Sequence, residues 1–181
     1  MRFRQGEYSE LICRPVMKIS IANLSEGVHA YHFSAEPEHL ALGENFTKQV
    51  SVDVALDKAS REIFLKVKAT TSGRFVCDRC VGEFNRDLVA AYRMAYMYDE
   101  REKENYGDDE VHFIREGTTV IDISEDIRQF LLLSVPLKLL CSDQCRGLCP
   151  RCGQNWNHGT CSCKTEETDS RWEKLEKHFK N

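Results

Sequence analysis

The spacing of the cysteines is the feature that most constrains what this chain can fold into. Eight of the nine cysteines in the 181-residue sequence fall into closely spaced pairs, and six of these eight lie between Cys141 and Cys163. A gap of one to three residues lets both thiolates of a tight turn point at one ion, and tetrahedral zinc takes four such ligands. We therefore expect about two structural zinc ions. The predicted ligands are Cys77, Cys80, Cys141, Cys145, Cys149, Cys152, Cys161 and Cys163.

Spacing leaves more than one way to divide the eight thiols. The favoured division has a local set of Cys149, Cys152, Cys161 and Cys163, and a long-range set of Cys77, Cys80, Cys141 and Cys145. Closing about sixty residues of chain costs roughly 4 kcal/mol of loop entropy, against about 10–16 kcal/mol from a structural zinc. The alternatives join Cys77 and Cys80 to Cys149 and Cys152, use His158 in place of a thiolate, or leave the thiols free.

Composition indicates a soluble globular protein, which we expect in the cytoplasm. Hydrophobic residues make up 41% of the chain and charged residues 30%. The first fifteen residues lack the apolar core of a signal peptide, and the longest apolar run, 130–140, is too short to span a bilayer. Because cytoplasmic thiols stay reduced, clustered cysteines are better interpreted as metal ligands than as disulfides.

The overall charge argues against bulk attraction to nucleic acid. The formal net charge is −4, and eight thiolates with two zinc ions would make it about −8. Phosphate binding rests on Lys and Arg side chains, so any RNA contact must come from a local basic face. Arg79, Arg146 and Arg151 lie beside the cysteine pairs and are the candidate contacts for RNA or a partner. The alternative is that these cations only screen thiolate charge.

The middle of the chain has the period-two pattern of half-buried strands. Apolar residues alternate with polar ones at 50–56 and 63–69, and Ser72-Gly73 predicts a turn after the second of these strands. Further strand candidates are 16–21, 28–33, 88–98, 111–114 and 119–121. An apolar helix follows, beginning at Asp122 with Glu125 as its capping partner and ending before Pro136.

These elements predict an α+β protein. We expect an antiparallel sheet or open barrel packed by the apolar helix in residues 1–140. A cysteine-rich, zinc-ribbon-like segment and a short terminal helix from Ser170 then occupy residues 141–181. The stretch 99–110 holds seven acids against two bases and predicts an exposed loop.

Enzymatic functions find little support in the sequence. A catalytic zinc keeps an open coordination position, usually with His or a carboxylate among its ligands, whereas the predicted sets are all thiolate. The sequence has no glycine-rich phosphate loop and no nucleophile-elbow pentapeptide. We therefore expect a protein that is not an enzyme.

Several segments together resemble the YceD family of bacterial and plastid proteins. The resemblance is carried by the strand end 75–80 (FVCDRC), the helix 124–135, the segment 141–153 and the tail 169–175. It covers about residues 15–180, although many family members lack part of the C-terminal cysteine cluster. The family is associated with accumulation of large-subunit ribosomal RNA and with genes for a large-subunit ribosomal protein. The resemblance thus implies a ribosome-biogenesis factor with one or both of these partners.

A second hypothesis treats the cysteines as a sensor. Zinc thiolates can be oxidised, which releases the metal and can expose a partner surface. On this interpretation the protein is a redox-responsive regulator. Zinc release by mild peroxide, with a matching change in binding, would distinguish it from a ribosome-biogenesis factor.

Overall fold

The structure is a computed structural model that describes residues 17–98 and 111–163. The acidic stretch 99–110 and the terminal helix predicted from Ser170 lie outside the described residues. Within those two ranges, no helix is both long enough and apolar enough to cross a membrane.

The described residues form short strands at both ends of a longer β region, followed by one helix. The elements are β1 (Lys18–Ser20), β2 (Gly27–Ala35), a 3-10 turn (Pro37–Leu40), β3 (Val50–Lys58), β4 (Glu62–Val76), β5 (Glu83–Met97), β6 (Val111–Phe113), β7 (Val120–Asp122) and α1 (Ser124–Leu133).

Most of these strands form a five-stranded sheet in the order β2-β3-β4-β5-β6, and β1 pairs with β7 in a second, two-stranded sheet. The β2–β3 and β3–β4 pairs are antiparallel, whereas β6 runs parallel to β5. The predicted α+β class is confirmed. The parallel strand was not predicted, because periodicity identifies a strand but not its partner.

Alternation along β3 and β4 separates a buried face from an exposed one. Val54 lies opposite Val67 and Leu56 opposite Leu65, and all four side chains are buried. The residues that alternate with them, such as Asp53 and Lys66, are exposed. Directly opposed residues share a face of a sheet, so the buried pairs form one continuous apolar surface.

Helix α1 covers part of this apolar surface. Ile127 and Leu131 are fully buried in the core, and the Phe130 ring stacks on Tyr92 with a centroid distance of 4.2 Å. The helix begins at Ser124 rather than at the predicted Asp122. The Asp122 carboxylate accepts a hydrogen bond from the Ser124 N–H at 3.0 Å, as a capping residue does. Glu125 does not complete the predicted capping box, since its carboxylate accepts hydrogen bonds from Arg128 and Gln129 in the next turn.

Strand β4 is longer than predicted because the expected turn at Ser72-Gly73 does not form. The Thr71 hydroxyl donates to the Lys48 carbonyl at 2.7 Å, which ties the middle of the strand to the preceding segment. A Cβ atom on Gly73 would lie 2.6 Å from the Phe75 ring. Glycine is therefore required here by close packing within a strand, not by a turn.

The described residues divide into two compact units. The sheet unit comprises residues 17–75, 83–98 and 111–139, and the cysteine unit comprises residues 76–82 and 140–163. Residues 76–82, which connect β4 to β5, thus group with a segment about sixty residues further along the chain. A long-range set of cysteine ligands requires such a grouping.

Candidate metal centres

The four cysteines of the long-range set come together in the cysteine unit. The sulfur atoms of Cys77, Cys80, Cys141 and Cys145 all lie within 4.8 Å of one another. The Cys77 and Cys145 sulfurs are 3.8 Å apart, and those of Cys80 and Cys141 are 3.7 Å apart. A tetrahedron with metal–sulfur bonds of about 2.3 Å has edges of about 3.8 Å, so this arrangement fits a zinc ion.

The first half of this set is formed by the connection between β4 and β5. The Cys77 N–H donates to the Gly82 carbonyl and the Val81 N–H donates to the Cys77 carbonyl, both at 2.9 Å. Val81 has a φ of +56°, an uncommon value for a β-branched residue, which reverses the chain after Cys80. The tight loop holds Cys77 and Cys80 buried with their sulfurs on the same side.

The second half is held against this loop by Arg79. Its guanidinium donates to the Cys145 carbonyl at 2.9 Å and more weakly to the Asp143 carbonyl at 3.5 Å. Gly147 has a φ of +77°, and a Cβ atom there would lie 3.0 Å from the Arg79 carbonyl oxygen. Only glycine combines this backbone conformation with such a close approach.

The other four cysteines form a second set within 149–163. The sulfurs of Cys149, Cys152, Cys161 and Cys163 also lie within 4.8 Å of one another. The Cys149 N–H donates to the Gln154 carbonyl at 2.8 Å, and the Gly153 N–H donates to the Cys149 carbonyl at 2.9 Å. These bonds close a tight turn that points both sulfurs of the first pair to one side. The eight thiols therefore group as the favoured division predicts, and His158 is not part of either set.

Side chains between Cys152 and Cys161 donate hydrogen bonds to the sulfurs. The Asn157 amide donates to the Cys145 sulfur at 3.3 Å, and the Trp156 indole N–H donates to the Cys161 sulfur at 3.4 Å. Such donors orient metal ligands and stabilise the thiolate form. Cysteine spacing does not predict either donor. The available signal was a run of N–H-bearing side chains between two cysteine pairs.

The pKa values of the thiols are shifted in opposite directions within each set. The indole donor lowers the pKa of Cys161 to about 6, and the Asn157 amide lowers the pKa of Cys145 below its usual range. Neighbouring sulfurs act in the opposite direction. Contact with Cys152 raises the pKa of Cys163 to about 12, and contact with Cys145 raises the pKa of Cys141 to about 12. A divalent cation would relieve this crowding of negative charge.

The three predicted RNA-contact arginines all lie in the cysteine unit and are exposed. Arg79 uses part of its guanidinium on the loop carbonyls. The Arg146 backbone N–H donates to the Asn157 side-chain oxygen at 2.8 Å, and Arg146 lines a cavity of about 430 Å³ with Trp156. A basic side chain thus lies beside an aromatic ring and the second cysteine set.

The fold and these sites define a class: an α+β protein that carries two clusters of four cysteines in a unit of its own. The chain belongs to the YceD family, because the family described as "Large ribosomal RNA subunit accumulation protein YceD" matches residues 65–178, more than half of the sequence. The resemblance identified from the sequence is thereby confirmed.

Relatives that match this chain occur in plants and bacteria. The chloroplastic "Large ribosomal RNA subunit accumulation protein YCED homolog 1" of Arabidopsis thaliana is 39% identical over 62 residues, which are 34% of this chain and 19% of the relative. YlbN of Bacillus subtilis is 34% identical over 74 residues, 40% of this chain and 42% of the relative.

A Mycobacterium tuberculosis protein is 28% identical over 133 residues, 70% of this chain and 60% of the relative. Both bacterial relatives carry the description "Uncharacterized protein". The match thus spans only about a fifth of the Arabidopsis protein and three fifths of the mycobacterial one. No solved structure matches the chain significantly.

Proposed function

We propose that this protein is a non-enzymatic factor that supports accumulation of large-subunit ribosomal RNA, with two structural zinc ions in its cysteine unit. The observation that carries the proposal is the grouping of eight thiols into two compact sets in a chain of this family. The proposal that ribosomal RNA is involved rests on the family description and on the name of the Arabidopsis relative. We place its action in the cytoplasm, where thiols stay reduced and available to metal.

Zinc is the ion that this donor set suits best. Four thiolates at the corners of a tetrahedron favour zinc or an iron–sulfur centre, and turns of the kind formed by Cys149 and Cys152 are typical of structural zinc. Four protein ligands also leave no open position for a substrate or a reactive water. The zinc ions would therefore hold the cysteine unit together without taking part in a reaction.

The proposed partner is large-subunit ribosomal RNA, a large-subunit ribosomal protein, or both. Arg79, Arg146 and Arg151 are the proposed contacts in the cysteine unit, because they concentrate positive charge in a chain whose net charge is −4. Arginine can bind phosphate with two N–H groups and can stack on bases. Arg79 keeps N–H groups beyond the one that binds the loop carbonyls.

A genetic experiment tests this function directly. Cells that lack the gene are complemented with the wild type, with a C77S/C80S variant or with a C13S variant, whose cysteine lies outside both sets. We expect the ratio of large- to small-subunit ribosomal RNA to fall without the gene and with C77S/C80S, and to be restored by the wild type and C13S. An unchanged ratio in cells without the gene would contradict the proposal.

Two measurements on the purified protein test its parts. Elemental analysis of protein purified without added metal should give about two zinc ions per chain, and a ratio near zero in reducing buffer would rule out the metal. An R79A/R146A/R151A variant that still holds zinc should flatten the dependence of log affinity for ribosomal RNA on log salt by about 2. An unchanged slope would show that these arginines do not bind RNA phosphates and would favour a protein partner.

A further inference from the structure

The exposed face of the five-stranded sheet carries a shallow trough that the cysteine sites do not use. Two adjoining depressions of about 650 and 520 Å³ share Ala55, Lys66 and Arg93 among their lining residues. They extend from β2 to β5, so the trough is roughly 14 Å wide, which corresponds to three strand spacings. All of its lining residues lie in the sheet unit.

The floor of the trough consists of small side chains on neighbouring strands. Ala30 lies opposite Ala55, and Ala55 lies opposite Lys66, so these residues share one face. Ala91 on β5 is exposed and lines the same depression. Long side chains surround these alanines, and the difference in side-chain length produces the concavity.

One side of the trough is cationic. Lys66, Lys68 and Arg93 are all exposed and line it from β4 and β5. Within residues 17–98 and 111–163, none of the three side chains makes an ion pair or hydrogen bond. Lys58 provides a contrast on the same sheet, since its ammonium group donates to the carbonyls of Ile21 and Leu24. The trough cations are thus available to an external anion.

The neighbouring strand β3 adds hydrogen-bond acceptors beside these cations, and Phe64 on β4 adds apolar surface. Asp53 lies opposite Lys68 and holds the exposed His32 ring at 2.8 Å, and Asp57 lies opposite Phe64. Phe64 is 39% exposed and lines the second depression. An aromatic face, carboxylate acceptors and three cations without an ion pair among the described residues together match the bases and the phosphates of one nucleic-acid strand.

We propose that this trough binds single-stranded RNA. Phosphates lie along Lys66, Lys68 and Arg93, one base stacks on Phe64, and the carboxylates of Asp53 and Asp57 accept hydrogen bonds from base amino groups. The choice of RNA as the polyanion rests on the proposed function. The trough itself is a separate contact region from the arginines of the cysteine unit, and its use does not depend on zinc.

A matched pair of variants tests the trough. K66Q/K68Q/R93Q removes its three cations, whereas K18Q/K48Q/R115Q removes three exposed cations that do not line it. The probe is a fluorescein-labelled single-stranded RNA of twelve nucleotides, titrated by anisotropy at several salt concentrations. We expect the trough variant to flatten the salt slope by about 2, at about 0.7 per lost phosphate contact, and the control to leave the slope unchanged.

Stacking is tested at Phe64. We expect F64L to weaken binding about 5-fold or more and F64Y to retain wild-type affinity, because base–aromatic stacking needs a ring and not merely apolar volume. Replacing the probe by the same sequence as a duplex should abolish the difference between the two Phe64 variants, since paired bases cannot stack on the ring.

Three results would overturn the trough proposal: no binding of the probe by the wild type, equal salt slopes for the two triple variants, or equal affinity of F64L and F64Y. Displacement of the RNA by an equal charge concentration of polyglutamate would instead identify an acidic protein segment as the occupant. Ribosomal RNA ratios in the complemented cells are measured in parallel. If deleting the gene lowers that ratio while the triple variants bind alike, the trough fails and the proposed function stands.

Discussion

The two units of this protein are ordered by different forces. In the sheet unit, Leu56, Ile63 and Ile127 are completely buried, and the core extends over the five-stranded sheet and helix α1. In the described part of the cysteine unit, Cys77, Cys80, Cys145 and Cys149 are buried, but no aliphatic or aromatic side chain is. Burial of apolar surface can stabilise the first unit, whereas the second needs another source of free energy.

This difference in apolar burial explains why the cysteine sets are so compact. The described part of the cysteine unit has about thirty residues and buries no aliphatic or aromatic side chain. Small domains of this kind depend on metals or disulfides. The sulfur–sulfur distances of 3.7 and 3.8 Å are far beyond a disulfide bond and match a metal tetrahedron. We therefore expect the fold of the cysteine unit to depend on metal and the fold of the sheet unit not to.

Metal removal should produce the largest effect. We expect chelation in reducing buffer to abolish amide protection across 141–163, because each structural zinc contributes about 10–16 kcal/mol of apparent binding free energy. The amides of β3 should stay protected, since the sheet unit holds its own core. Hydrogen exchange followed by mass spectrometry measures both regions in one sample.

The two sets should also separate from each other. C77S/C80S should expose 141–147 to limited proteolysis, because it opens the long-range set, while C161S/C163S should loosen only 149–163. Equal protection of 141–163 in C77S/C80S and the wild type would contradict the role of the first set. Collapse of the sheet unit after chelation would remove the contrast between the units.

A core substitution tests the other half of the comparison. L131A removes a fully buried side chain of α1 and should lower the free energy of unfolding by about 2–5 kcal/mol. L133A is the matched control, since this leucine of the same helix is 77% exposed, and it should change stability by less than about 0.5 kcal/mol. Urea titration followed by circular dichroism gives both values. Loss of zinc from folded L131A would show that the units are not independent.

The same contrast decides how much could be predicted from the sequence. Cysteine spacing predicted the ligand pairs, and the division into two sets that it favoured matches the two sets in the structure. Spacing alone left other divisions open, because it does not show which distant pairs meet. Alternation predicted β3 and the start of β4 because their side chains face one core. The continuation of β4 through Gly73 could not be predicted, since it depends on the Phe75 ring packing against that glycine. Local signals report what a residue prefers, not what it contacts.

The donors to sulfur were missed for a related reason. Asn157 has an ordinary turn-forming role in sequence, and only the folded chain shows that its amide reaches Cys145 from twelve residues away. The periodicity of the sequence also could not predict the trough on the sheet. Strand pairing is needed to see that Ala30 and Ala55 are neighbours and that Lys66 lies next to them.

A smaller effect is expected from that sulfur donor. N157A removes the N–H contact to Cys145 and should weaken metal binding at the long-range set by about 10- to 100-fold, the usual effect of losing a partner that orients a metal ligand. H158A changes the neighbouring exposed residue and should leave the affinity unchanged. Competition with a chromophoric chelator measures both variants. A loss of affinity in H158A equal to that in N157A would indicate that His158 is a metal ligand.

The smallest predicted effect lies in the sheet unit and concerns pH. Burial raises the pKa of Asp126 above its ordinary value of 3.8, even though the His112 imidazole lies 3.9 Å away and the Tyr96 hydroxyl donates to the carboxylate at 3.4 Å. The folded protein therefore binds this proton more tightly than the unfolded chain does. Stability from this group is present below pH 3.8 and is lost as pH rises through the raised pKa.

D126N should remove this dependence while keeping an oxygen acceptor for the Tyr96 hydroxyl. We expect D126N to gain stability relative to the wild type as pH rises above 3.8, by less than about 1 kcal/mol because the carboxyl is partly solvated. Urea titrations of both proteins at each pH measure the difference in their free energies of unfolding. Both proteins contain the same cysteines, so the effect of cysteine titration on stability cancels in this difference. A difference that stays constant or falls with rising pH would show that His112 and Tyr96 outweigh burial. The sheet unit would then hold a stabilising ion pair where the comparison with the cysteine unit predicts only apolar burial.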